Sequence, residues 1–404
     1  ETHRMGPMGM NRDSFTDEVI SLPVWDTHNH LEGSRTLCAQ SFWDFGHYFW
    51  YLRELEGVGY PPPDEAMALP EPERAEAYVR AFHIGRNTTW GQAVRRTLRD
   101  LWDVEITDAG SVLAASERIA ETGRTPGWAT EVCGRLNIAA LAVGRITDNG
   151  IQEIRDRLHV MGSIRLPDAD QPEEVERHAR DIARQVKELS SQGRRVIRTQ
   201  MPASTTVPEP SDTDEYLRHS LFRALDAHGF HVQVFIGMVP PTPGYEPRTR
   251  AHGHYAVNDP ARVAALHDLF DMYAGCTFEI VNAAQLSNLD IVQAARIYRN
   301  VFPGGLWWFN FRASNYREIM QYRLEALPAT RCTLIASDAR CIEWCYCKTL
   351  LVKRLLAEFL HDQMARGWID RETALYVARE WLHDAAARLY RGEPEAAPPT
   401  TATA

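Results

Sequence analysis

Short apolar segments recur along this chain with helical stretches between most of them, and that rhythm limits the fold more than any other feature. Eight segments read as strands, at 24–30, 138–146, 162–166, 195–200, 230–237, 276–282, 305–311 and 332–338. Short apolar strands alternating with helices form parallel sheets, because a parallel connection needs a crossover long enough to hold a helix. Eight such strands point to a closed (β/α)8 TIM-type barrel more than to an open sheet. An open doubly wound sheet is the alternative, but no Gly-x-Gly-x-x-Gly follows a strand to support nucleotide binding there.

The rhythm is broken once. Residues 32–135 show no clear strand. They hold an aromatic run from Phe42 to Tyr51, a break at Pro61-Pro62-Pro63, and helical patterns over Glu71–Phe82 and Gln92–Leu101. The reading is a long helical insertion after the first strand. Further helices are predicted over Asp170–Ser190, Asp212–His228, from Asp259-Pro260 to Tyr273, Asp290–Phe302, Ser314–Leu327, near Trp344–Ala365, and over Asp370–Tyr390. The whole of 21–392 is expected to be one barrel domain. Residues 1–20 are read as an N-terminal extension, in part a vector-derived remnant, and the Pro/Ala/Thr-rich 393–404 as a disordered tail.

In such a barrel the chemistry sits at the C-terminal ends of the strands. His28 and His30 end the first strand and share a face, since strand side chains alternate. Two neutral imidazoles are half of a metal site. Two surface histidines are the plainer reading of His-x-His alone. Asp338 ends the last strand, and in a closed barrel the first and last strands are neighbours, so Asp338 can join the pair as a ligand or proton carrier. A helix N-cap, or an ion pair with Arg340, is the alternative for Asp338.

Arg145, Arg165, Arg198, Arg312 and Arg340 fall at or just past five strand ends, in a chain of formal net charge -10. Arginine grips carboxylate or phosphate bidentately, so this rim suits a small acidic substrate, although each could pair with a local acid. The negative charge argues against nucleic acid as a partner, and no apolar run is long enough to span a bilayer. Seven cysteines, an odd number, fit reduced thiols and a cytoplasmic setting. Cys341, Cys345 and Cys347 read as buried, inert thiols more readily than as a metal or redox group. A homo-oligomer stays compatible with all of this.

Asp26-Thr27-His28-Asn29-His30-Leu31, His47-Tyr48-Phe49-Trp50, Arg86-Asn87-Thr88-Thr89-Trp90, Trp307-Trp308-Phe309 and Ser337-Asp338-Ala339-Arg340 together resemble the uronate isomerases of the amidohydrolase superfamily. The likeness runs in order over most of the chain. It implies the distorted barrel, and one divalent metal, most often zinc, held by His28, His30 and Asp338. It implies Tyr48 and Asp338 near the proton transfer, and His47, Arg165, Trp308 and Arg340 around an acidic sugar. Two positions depart from the family pattern. Gly46 stands where an Asp precedes the His-Tyr pair, and Phe235 stands where strand five has a His. His252 and His254, in the loop after strand five, could fill the gap or simply be solvated. The expected function is aldose–ketose interconversion of a uronic acid or related small acidic sugar. A metal-dependent hydrolase, deaminase or decarboxylase is the alternative, since a bound metal can also activate water.

Overall fold

The computed structural model describes residues 12–164, 172–200, 212–239, 255–258, 261–307 and 310–392. The chain is an α/β protein with parallel sheets. β1 (Val24–Asn29), β2 (Ile138–Val143) and β3 (Leu158–Val160) form one sheet in that order. A second sheet runs β4 (Val196–Gln200), β5 (His231–Ile236), β8 (Thr277–Asn282), β9 (Val301–Leu306). All pairings within both are parallel. Two-residue strands β6 (Met238–Val239) and β7 (Tyr255–Ala256) make a small antiparallel pair.

Two junctions link the sheets. Gly162, just past β3, bridges Ile197 of β4, with Gly162 N donating to Val196 O at 2.7 Å. On the other side the extended segment 332–338 lies between β9 and β1. Thr333 N donates to Pro303 O (3.0 Å), Thr27 N to Ile335 O (2.9 Å) and Asp338 N to His28 O (2.7 Å).

Three expected strands are corrected by this arrangement. The third is Leu158–Val160, a three-residue strand straight after a run of 3-10 turns; of the expected 162–166, Gly162 makes a single bridge, and 165 and 166 lie outside the described residues. The seventh is Val301–Leu306 rather than 305–311, and its preceding helix stops at Ile297. The eighth, 332–338, is not a ladder: Thr333 bonds β9 while Ile335 and Asp338 bond β1, and only Asn29 and Ala339 form a bridge. Gly305 explains how closely this segment packs. A Cβ there would stand 2.4 Å from Ala336 N, so only glycine fits.

Among the described residues, 34–135 hold helices and no strand, the longest being Glu71–Ile84, Thr89–Trp102 and Ala109–Arg124. Their starts follow from local chemistry. Glu71–Ile84 has proline and two glutamates in its first turn. Thr88 Oγ1 accepts from Gly91 N, and Asp108 makes a capping box with Ser111. No described helix is long and apolar enough to cross a membrane.

The helix Ile342–Ala365 is buried on most of its surface, with the helices Arg12–Ser21, Thr89–Trp102 and Ala313–Ala326 packed around it. Two of its buried residues are lysines, Lys348 and Lys353. Lys353 Nζ donates to Ile20 O (2.7 Å), Leu22 O and Leu136 O (both 2.6 Å). It thereby ties down the chain just ahead of β1 and β2. Lys353→Met removes three hydrogen bonds and leaves their carbonyls dry. The expected loss is about 3 kcal/mol or more in urea unfolding. A loss under about 1 kcal/mol, the size of an exposed pair, would contradict this.

Candidate metal centre

Strand alternation carries Asp26, His28 and His30 to one side of β1. His28 Nε2 lies 3.1 Å and His30 Nε2 3.0 Å from the same oxygen, Oδ1 of Asp338. One ligand atom from each residue falls within 4.8 Å of the others, and this is the metal-ligand group found among the described residues. Asp338 reaches it with a left-handed backbone (φ 52°), a region that aspartate tolerates better than most residues. Its alternative as a partner of Arg340 is not seen: no ion pair joins them among the described residues, and Arg340 is exposed with its guanidinium over the Phe49 ring.

The donor set fits a divalent cation. Ligand atoms about 2.0–2.2 Å from a shared ion at tetrahedral angles stand about 3.3–3.6 Å apart, a few tenths of an ångström beyond the 3.1 and 3.0 Å contacts seen here. Burial pushes His28 down to about 3, so it is neutral at ordinary pH, as a ligand must be. Burial alone would raise Asp338, but the His28 and His30 bonds and the Lys348 charge hold it well below the usual carboxylate range. One contact stands against immediate loading. Arg198 Nη1 lies 3.1 Å from His28 Nδ1 and can only donate, which leaves the His28 proton on Nε2. Ligation through Nε2 needs that nitrogen bare, so Arg198 has to turn from Nδ1, and the Glu32 carboxylate that attracts it offers another acceptor.

A layer of polar groups fixes the triad from behind. The Asp26 carboxylate, fully buried, accepts from Ser337 N (2.8 Å), Ser337 Oγ (2.5 Å) and His28 N (3.3 Å). It thus clamps the β1 ligands to the segment that brings Asp338. Lys348 Nζ donates to Ser337 O and to Tyr48 Oη, and sits 4.5 Å from the Tyr48 ring centroid. Tyr48 Oη in turn donates to Asp338 O (3.2 Å), and Trp50 Nε1 to Asp338 Oδ2 (3.3 Å). Burial raises Tyr48 well above its usual value, so the phenol stays protonated. Its hydroxyl meets the main chain of Asp338, not the carboxylate.

The sequence reading did not single out Asp26, Lys348 or Trp50 as site residues. Asp26 carried a signal, lying two residues before His28 on the same strand face. So did Lys348, a lone cation amid the apolar run of Trp344–Leu351. Trp50 carried none.

The remaining expected residues scatter. His47 bonds Tyr60 Oη at 2.7 Å among Trp43 and Tyr78, and burial pushes it down to about 4. Arg145 is largely exposed and paired with Glu32 at 2.8 Å. Arg312 donates to Gln285 Oε1 (2.7 Å) and Asn315 Oδ1 (3.3 Å). Arg165, Trp308, His252 and His254 lie outside the described residues. All seven cysteines are buried and unpaired, and burial raises Cys341, Cys345 and Cys347, which removes thiolate reactivity.

Both departures from the family pattern have packing reasons. A Cβ on Gly46 would stand 2.8 Å from the Phe42 ring and 3.2 Å from Tyr78 Oη, so no aspartate fits. Phe235 packs tilted against the His28 ring (centroids 4.6 Å apart) and edge-on to Trp307 (4.7 Å), so β5 gives the centre a wall instead of a donor.

No family model matches the sequence, and no curated protein matches it either. Solved structures do match. A uronate isomerase from Bacillus halodurans C-125 superposes with a TM-score of 0.70 at 17% identity, over 96% of each chain. A uronate isomerase from Thermotoga maritima gives 0.73 at 14%, covering 95% of this chain and all of the other. The chain has the fold of the uronate isomerases. A putative metal-dependent hydrolase from Lactobacillus casei also matches, with a TM-score of 0.58 at 13% identity, over 94% of this chain and 98% of its own.

Proposed function

We propose that this protein is a metal-dependent isomerase that interconverts aldose and ketose forms of a uronic acid or a related small acidic sugar. The observation that carries the reading is the convergence of His28, His30 and Asp338 beside a protonated Tyr48 and a buried Lys348. In this reading the two junctions close the sheets into a distorted (β/α)8 barrel, with 34–135 as a helical insertion and the centre at the C-terminal strand ends. His28, His30 and Asp338 would hold one divalent cation, zinc by its ligand types, which supplies Lewis-acid polarisation of a carbonyl.

The chain's own groups do the rest. Aldose–ketose interconversion moves one proton between neighbouring carbons and another between their oxygens. Asp338 is ionised at neutral pH and is the group placed to take the carbon-bound proton and return it. Tyr48 and Lys348 hold the Asp338 backbone in its left-handed turn. Arg340 and Arg198, with Arg165 and Trp308 as part of the same proposal, grip the substrate carboxylate. Reduced thiols in a cytoplasmic setting complete the picture.

The test is solvent exchange. Metal-replete protein in deuterium oxide should exchange the C2 hydrogen of at least one uronic acid, and Arg340→Gln should raise KM on the order of tenfold or more. No exchange with any uronic acid in a panel would overturn the isomerase reading. Phe235, which removes a donor from β5, and the hydrolase-like neighbour favour a second reading, metal-assisted hydrolysis on the same centre. Oxygen-18 from water appearing in product would mark it.

A further inference from the structure

The far ends of the strands hold a second feature, unrelated to the histidine centre. A cavity of about 700 Å³ opens where β4, β5, β8 and β9 begin, lined there by Val196, His231, Thr277 and Phe302, and closed from below by the C-terminal helix Ala385–Arg391. Five of its lining residues are arginines, and none of those described is an aspartate or glutamate. In a chain of formal net charge -10, so many cations around one hollow with no acidic side chain in its described lining suit an anionic guest.

Arg391 lies over the Trp25 ring, and the other four arginines divide into two groups. Arg331 is held by the carbonyls of Ala295, Tyr298 and Val301, and Arg388 is paired with Glu380, so these shape the wall. Arg195 and Arg299 are exposed; their carbonyls accept from His231 N and Arg331, but their guanidinium groups have no hydrogen bond or ion pair among the described residues. Their guanidinium forks are therefore open to a ligand. Deeper in, His231 is 3% exposed, and its Nδ1 lies 2.8 Å from Thr277 Oγ1. Its Nε2 faces the buried Glu279 carboxylate at 3.6 Å, so the imidazole is held by the core and the arginines are what is left for a ligand.

We propose that this cavity binds a small phosphate-bearing metabolite, gripped by Arg195 and Arg299 at the strand beginnings, away from the histidine centre. Guanidinium forks match phosphate oxygens bidentately, and a hollow of this size holds a molecule larger than inorganic phosphate.

Calorimetric titration of the full-length protein with inorganic pyrophosphate at low salt tests this without reference to any catalytic activity. Saturable binding is expected. It should weaken at least tenfold in Arg195→Ser/Arg299→Ser, with metal content and melting temperature unchanged. Arg299→Glu alone, a single exchange at an exposed position, should weaken it as well. Citrate, of similar charge, should bind less tightly. No saturable heat, equal affinity in both variants, or tighter binding of citrate would overturn the proposal.

Discussion

Replacing His28 and His30 together by alanine is expected to leave a folded chain that no longer retains a divalent metal and has lost turnover. Both imidazoles reach one oxygen of Asp338, so removing them deletes two of three candidate ligands and leaves a lone buried carboxylate. Losing a single outer partner of a metal site costs about 10–100-fold in affinity or activity, so losing two ligands should cost on the order of a thousandfold or more in kcat/KM. Elemental analysis after dialysis reads the metal, and circular dichroism reads the fold. Metal retained at the level of the unaltered protein would show that the cation, if any, sits elsewhere.

The second large effect is expected at Lys348. Its ammonium joins Tyr48 Oη and Ser337 O in a site closed to water, directly behind the Asp338 turn. Lys348→Met removes the cation but keeps most of the volume. The unpaired carbonyl and phenol should cost about 2–4 kcal/mol of stability. Displacing the Asp338 turn should cost on the order of a hundredfold in kcat/KM even where the variant is fully folded. Wild-type stability and unchanged kinetics in this variant would contradict the account of the layer behind the metal group.

Lys348 also sets a pH signature. Burial lowers it from 10.5 to about 8. Between those values the unfolded lysine keeps a proton that the folded one has released, so this group makes stability rise with pH across that window. Activity should nevertheless fall above about pH 8, as the ammonium that braces Tyr48 and Ser337 is lost. A rate profile that drops there while the melting temperature does not is the expected pairing. Loss of that alkaline limb in Lys348→Arg, whose charge persists, would confirm the source.

Much of the site was legible because strand alternation is a strict rule. His28 and His30 had to share a face, and the strand rhythm put Asp338 at the end of the last apolar segment, which lies beside β1. The parts that escaped did so for physical reasons. β9 contains Phe302-Pro303-Gly304-Gly305, which reads as a break in any strand pattern. The fold needs Gly305 there because Ala336 passes within a Cβ radius of it. The segment 332–338 has the composition of a strand, yet it divides its backbone bonds between two neighbours and forms no ladder with either. Arg145 and Arg312 looked like part of one cationic rim, but Glu32 and Gln285 satisfy them locally. Sequence position put them at strand ends without saying where their long side chains would turn.

The central claim is that His28, His30 and Asp338 share one cation. Crystals of the metal-loaded protein, measured at the metal absorption edge, test it most directly. The account predicts one anomalous peak about 2.0–2.2 Å from a nitrogen of each histidine and an oxygen of Asp338. A peak at any other group of residues, or none in fully loaded crystals, would contradict it.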